Sequence, residues 1–360
     1  MKRITSKLKK KEASPAKPAR ITNETVAEHR ERVLAEGRRF KYPVQYTKHK
    51  LVFTAIAIGL SLAILFVGVS WWQLYKAQTT DTFYYRVART LPLPVASVDG
   101  EKVKYGDYLL NYKMSETYLN TTEKANEAQY VDDSSRNGLY DFYKAQAMND
   151  AVADAYAQKI AKSNNITVTD KQIDDAFAAT RQLSDGTQIS QEVLDRSNEQ
   201  KFGISPEDSR YLMRKALLRK AVEYKLDTKA ADISHQIEKA VSTNPDMPFE
   251  EILANINKQH PDAVQMASTG WVKKTNPDGG VTAAAAKLKK GQVSAAIKPD
   301  KGDGYYFIKL LDTNAQGEID YQFLKVPLKQ FKNQMTELKS QSKIHYYINV
   351  PETQAPTQAK

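Results

Sequence analysis

The sequence predicts an α+β protein carried on a single transmembrane helix, with a mainly helical module followed by a small α/β domain. Three observations predict this. No charged residue occurs from Leu51 to Tyr75. Between about residues 105 and 225, apolar side chains recur at helical spacing. Further on, Gly304–Asp312 and Ile319–Val326 are short runs rich in aromatic and β-branched residues, as strands are.

The chain has 360 residues and a net charge of +11. Residues 1–50 hold 15 Lys and Arg against 5 Glu and no Asp, so the tail carries +10 and everything after it about +1. The mean hydropathy of −0.58 implies that any membrane part is small. There is no cysteine, which excludes a disulfide framework, a thiolate zinc site and a cysteine nucleophile.

The tail, residues 1–50, lacks a sustained apolar period and reads as disordered and cytoplasmic, with a short helix over Glu24–Glu36. Its expected role is attraction to anionic headgroups. Nucleic acid is not an expected partner, since no aromatic interleaving accompanies the charge. Residues 51–75 read as the transmembrane helix, because about 20 apolar residues cover a hydrocarbon core of roughly 30 Å. Lys41, Lys48 and Lys50 precede it, while Trp71, Trp72 and Tyr75 follow as an aromatic membrane interface. That asymmetry puts the N-terminus in the cytoplasm and the C-terminal part outside. A cleaved signal peptide is the alternative, but the exit Ser70-Trp71-Trp72-Gln73-Leu74-Tyr75 is too bulky for a peptidase.

Residues 76–94 read as a juxtamembrane linker ending in the stiff Leu91-Pro92-Leu93-Pro94. Two β-prone runs then flank Asp99-Gly100, a strong hairpin signal. A helix follows over Lys104–Tyr112, and a long amphipathic one over Leu139–Ser163. Thr169 with Gln172 has capping-box form, and Ser205-Pro206-Glu207-Asp208 opens another helix running to about Lys225. A strand over Ile319–Val326 and a helix from about Lys329 to Ser342 close the pattern.

This order of motifs resembles a known family. The hairpin Val95–Val103 leading into a helix, then Ile166–Asp174 and Phe202–Asp208, is similar to the N-terminal chaperone module of the SurA, PrsA and PpiD family of bacterial extracytoplasmic foldases. Downstream, Phe249–Leu253, Gly270-Trp271-Val272, Leu288–Ser294 and Gly304–Asp312 resemble elements of a parvulin (PpiC-type) prolyl isomerase domain. The resemblance implies a SurA-like module over 95–228 and a degenerate parvulin-like domain over 229–313. A C-terminal strand and helix over 314–349 and a disordered tail over 350–360 complete the layout. The expected first parvulin strand is missing upstream, and the strand at Ile319–Val326 is a candidate to fill its place.

The residues depart from the isomerase pattern. Tyr306 stands where the closing-strand His belongs, Val281 where the pocket Phe belongs, and Ser268 at the usual acidic position. No catalytic residue is assigned. The five histidines show no ligand spacing, so no metal is expected, and no phosphate loop or cofactor fingerprint exists. Trp271, Val281, Tyr305, Tyr306 and Phe307 are the candidate peptide contacts. The implied function is a membrane-anchored chaperone or foldase that binds unfolded translocated chains near a translocon without ATP, its isomerase activity weak or lost. The alternative is a non-catalytic bitopic scaffold for cell-envelope partners.

Overall fold

The computed structural model describes residues 22–41, 43–123, 133–183, 185–300 and 302–352, and the chain divides into two compact units, residues 1–71 and 72–360. In the first unit, helix α1 spans Asn23–Lys41, longer than the expected short helix and contrary to a disordered tail. Its sequence is rich in Glu and Arg, which are good helix formers. The Thr22 N–H donates to Thr25 Oγ1 at 2.9 Å, fixing its first turn. The expected disorder of residues 1–21 and 353–360 lies outside the described residues.

Helix α2 spans Pro43–Tyr75, with Pro at its first position, and so begins eight residues before the expected start at 51. Its stretch His49–Tyr75, 27 residues, is long and apolar enough to cross a membrane. Its last turn belongs to the second unit, where Leu74 is buried in the core. Tyr75, expected at the membrane interface, is part-buried against the second unit. Its hydroxyl donates to Pro94 O at 2.7 Å, and its ring meets Tyr105 edge-on at 5.3 Å.

The expected linker is also corrected: residues 82–90 form helix α3 (Thr82–Thr90). Strands β1 (Pro94–Val98) and β2 (Glu101–Lys104) then make the hairpin. Both turn residues are left-handed, Asp99 at φ 46° and Gly100 at φ 83°, which matches the strand twist in a two-residue loop. Helices α4 (Tyr105–Tyr118) and α5 (Asp133–Ser163) pack on the hairpin through Val95, Val98, Val103, Tyr108, Met148 and Val152.

Helix α6 (Asp170–Thr180) carries the capping box, Thr169 and Gln172 satisfying each other's backbone N–H. Helix α7 (Gln191–Phe202) is bounded by the Ser190 cap and left-handed Gly203. The Ser205 cap and Pro206 open helix α8 (Pro206–Leu226). A largely buried polar network ties α8 to its neighbours. Lys215 reaches Asp107 at 2.8 Å and Asp154 at 3.3 Å, Arg219 reaches Asp154 at 3.2 Å, and Arg89 reaches Asp208 at 2.7 Å.

Helices α9 (Thr228–Thr243) and α10 (Phe249–Gln259) lead to β3 (Gln265–Ser268), and the short α11 (Val281–Ala285) precedes β4 (Gly304–Thr313) and β5 (Ile319–Pro327). These strands form an antiparallel sheet in the order β3-β5-β4, so the late strand β5 takes the central place. Strand alternation sends Tyr305, Phe307, Leu324 and Val326 to the face under α9 and α10. Ile308, Leu310, Ile319 and Tyr321 meet Val281 and Ala285 of α11 on the other face.

Helix α12 (Gln330–Ser340) and strand β6 (Ile344–Tyr346) return to the first core. β6 pairs antiparallel with β1, Val98 opposite Ile344 and Ala96 opposite Tyr346, giving the sheet order β2-β1-β6. Leu338 and Ile348 are buried in the same cluster as Val95 and Tyr105. The segment expected as a separate C-terminal piece, 314–349, is therefore divided: β5 is the centre of the second sheet, while α12 and β6 are part of the helical module. Asp227 joins these parts: its carboxylate caps α9 at Ala230 N (3.0 Å) and accepts from the backbone of Lys329 (2.6 Å) and Gln330 (3.0 Å) ahead of α12.

Candidate functional site

A cleft of about 600 Å³ lies between helices α6 and α8 on one side and the loops at 274–280 and 300–303 on the other. Helical spacing builds its first wall. Met213, Ala216, Leu217, Lys220 and Glu223 repeat at three- and four-residue intervals, so they share one face of α8. Ala176 and Ala179 of α6 face the same space. The opposite wall turns at Gly279 (φ 82°) and Gly280 (φ 95°), backbone conformations that glycine adopts without strain. The Asp300 N–H donates to Gly279 O at 2.9 Å, tying the two loops together.

Helix α8 positions both walls. Its first half is anchored to the helical module by Tyr211, whose hydroxyl donates to Asp107 at 2.8 Å, and by Lys215. Its second half holds the sheet: the Lys220 ammonium donates to Asp300 O at 3.0 Å, and the Tyr224 hydroxyl to Gly304 O at 2.6 Å. Tyr224 also packs edge-on against Tyr305 at 5.2 Å.

The charges in the cleft are unequal in their surroundings. Burial lowers Lys220 below the usual lysine value, against the opposing pull of Asp300. Burial raises Glu223 above the usual glutamate range, and Asp303 adds to this while Arg219 opposes it. Asp303 goes the other way: despite the upward push of burial, Lys325 and the Tyr306 hydroxyl hold it below the ordinary carboxylate value. The site is thus an apolar trough in which burial favours the neutral form of the Glu223 carboxyl. None of the five histidines lines it.

A second, larger concavity of about 890 Å³ runs between α3, α4 and the start of α8. Three of its charged groups are paired, Arg89 with Asp208 at 2.7 Å and Asp107 with Lys215 at 2.8 Å, and the Tyr85 hydroxyl donates to Asp208 at 3.0 Å. The first cleft, with its apolar wall, is the better fit to a chain bearing exposed apolar residues.

A family model described as the SurA-like N-terminal domain matches residues 44–223, half of the chain. The chain belongs to the SurA-like N-terminal domain family. No curated protein matches it. The SurA-like match runs from α2 into α8 and includes the helical wall of the cleft; the glycine-turned wall lies beyond it.

The SurA-like chain places the five expected peptide contacts unevenly. Val281 is buried against the sheet, and Tyr305 and Phe307 are buried under α9 and α10. Their surface is committed to packing, which corrects them as contact residues. Tyr306 is half-buried, its ring 5.4 Å from Phe323 and its hydroxyl on Asp303 at 3.1 Å. Trp271 alone is exposed, at 50 %, and none of the five lines the cleft. At the end of α2, Trp71 and Trp72 are more than half exposed, whereas Tyr75 is held by the folded unit. The residues that do line the cleft, Met213, Lys220 and Glu223 above all, escape sequence reasoning. Their only signal is a second stripe on α8 beside the main apolar one.

Proposed function

We propose that this SurA-like protein is a membrane-anchored chaperone that holds unfolded segments of extracytoplasmic proteins in the cleft between α6, α8 and the glycine-turned loops. The carrying observation is that apolar wall, built by the family-matched helices and faced by a second domain. In this reading α2 spans the bilayer with the N-terminus in the cytoplasm, which the charge asymmetry around residues 41–75 supports. Chains leaving a translocon would then be the clients that the cleft receives.

The second domain is proposed to be a degenerate parvulin-like fold. In support, β5 occupies the centre of the sheet where an upstream strand was expected, so the scaffold is completed from the C-terminal side. Its role is to wall the cleft rather than to turn over prolyl bonds. Lowering a rotation barrier of roughly 18–20 kcal/mol needs a shaped apolar pocket around the X-Pro bond, and Val281 and Phe307 are packed into the core instead. Binding without ATP fits an apolar trough with a polar margin, which shields exposed apolar segments by mass action.

The full chain in lipid nanodiscs is expected to slow aggregation of a reduced, unfolded client several-fold. The variant Ala179→Glu/Ala216→Glu, which narrows and charges the trough at two exposed positions, is expected to lose most of that effect while melting unchanged. In a proline-peptide assay the isomerisation rate is expected to equal that of buffer. A chain that neither slows aggregation nor binds unfolded polypeptide at micromolar concentration would favour the scaffold reading.

A further inference from the structure

Helix α1 carries a surface that the cleft does not explain. Val26, Arg30, Val33 and Leu34 fall at i, i+4, i+7 and i+8, so they lie on one side of the helix, while Glu24, Glu28 and Glu31 repeat at i, i+4 and i+7 on the other. Val26, Val33 and Leu34 are each more than half exposed. One side is apolar with a cation in it, and three of the four acids lie on the opposite side, with Glu36 at the edge of the stripe.

Two occupants of such a stripe compete. A second copy of the helix would need apolar residues at alternating spacings of three and four. With Val26 and Val33 in one set, the other set is either His29 and Glu36 or Arg30 and Gly37. Neither register closes a seam. A lipid surface needs no such alternation. It takes a broad apolar stripe whose basic side chains extend to the headgroups. From Arg30 to Lys50 the sequence has seven Lys and Arg against two Glu. α1 ends at Lys41, ten residues before Leu51, and residues 43–50 of α2 rise only roughly 12 Å. The stripe is therefore tethered within reach of headgroups.

We propose that α1 lies in the plane of the membrane on its anionic face, with Val26, Val33 and Leu34 in the headgroup boundary and Arg30 among the phosphates. Its partner is anionic phospholipid in the leaflet where α2 enters. This rests on α2 crossing the bilayer, and the experiment separates the two claims.

The chain has no cysteine, so Val33→Cys and, separately, Ile58→Cys in the full chain each carry one polarity-sensitive fluorophore. Each is reconstituted into phosphatidylcholine vesicles with and without roughly 30 mol % phosphatidylglycerol. The position 58 label is expected to be shielded from an aqueous quencher in both. The position 33 label is expected to be shielded at least threefold more in the anionic vesicles and to lose that difference at high salt, since surface attraction is screened. Arg30→Gln with Arg32→Gln is expected to remove most of the difference. Equal exposure of position 33 in both compositions overturns the proposal. So does shielding that rises with protein density rather than with anionic lipid, which would mean a second copy. Failure of position 58 to be shielded would overturn the anchor itself, and the proposal with it.

Discussion

Glu223 lies part-buried in the cleft, and among the described residues its carboxyl has no hydrogen-bond partner, only the nearby charges of Arg219, Asp303 and Asp154. Its carboxyl titrates above the ordinary 4.5, mainly because burial disfavours the charged form. The folded chain therefore keeps a proton there that the unfolded chain has already released. Stability from this group is full at pH below about 4 and declines as pH rises through the folded value. Glu223→Gln is accordingly expected to melt higher than the parent at pH 7–8 and to converge with it near pH 4, as scanning calorimetry across pH would show. Residue-scale features were legible where the chemistry is local. Thr169 with Gln172 and Ser205 with Pro206 act within one helical turn, and both stand as read. The roles of Lys220 and Glu223 were not legible, because they depend on a wall some 60–80 residues further along the chain.

At the scale of elements, the network on α8 holds four helices by charge as well as by the apolar contact of Val222 with α5. Lys215 sits between Asp107 of α4 and Asp154 of α5, with both carboxylates nearly buried. Removing one partner from a buried pair usually costs about 3–5 kcal/mol, because the remaining charge stays uncompensated. Here Arg89 and Arg219 still face those carboxylates, so Lys215→Met is expected to cost less, about 2–3 kcal/mol in urea unfolding. Neutralising Asp107 as well should cost less than the sum of the single changes. The long helices and the Asp99-Gly100 hairpin were readable because their apolar periods or turn residues exceed the background. Helices α3 and α7 were not. α7 buries no residue at all, so it has no stripe to read, and α3 was obscured by the prolines that follow it.

Across the whole molecule, the helical module is assembled from both sides of the cleft domain. Phe331 and Leu338 of α12 and Ile348 after β6 are buried in cores with residues of α5, the hairpin and α8. Burying three such side chains contributes roughly 1.5–3 kcal/mol each, which approaches the 5–15 kcal/mol stability of a typical domain. Deleting residues 329–360 also leaves β1 an open edge and removes two donors from the buried Asp227. The truncated chain is expected to lose its cooperative thermal transition and bind a dye for exposed apolar surface, whereas deletion of 353–360 alone leaves both unchanged. No local signal marks β6 as a partner of β1, since pairing across 246 residues (98 to 344) leaves nothing in either segment to be read. The α+β class was readable from local patterns, but which strands share a sheet was not.

That long-range pairing sets the order in which a newly made chain matures. At ribosomal rates of about 5–20 residues per second, β1 exists for on the order of tens of seconds before β6 is synthesised. During that interval the hairpin edge and the Val95–Tyr105 nucleus stand open, so the protein is itself an unfinished client before it can serve any other.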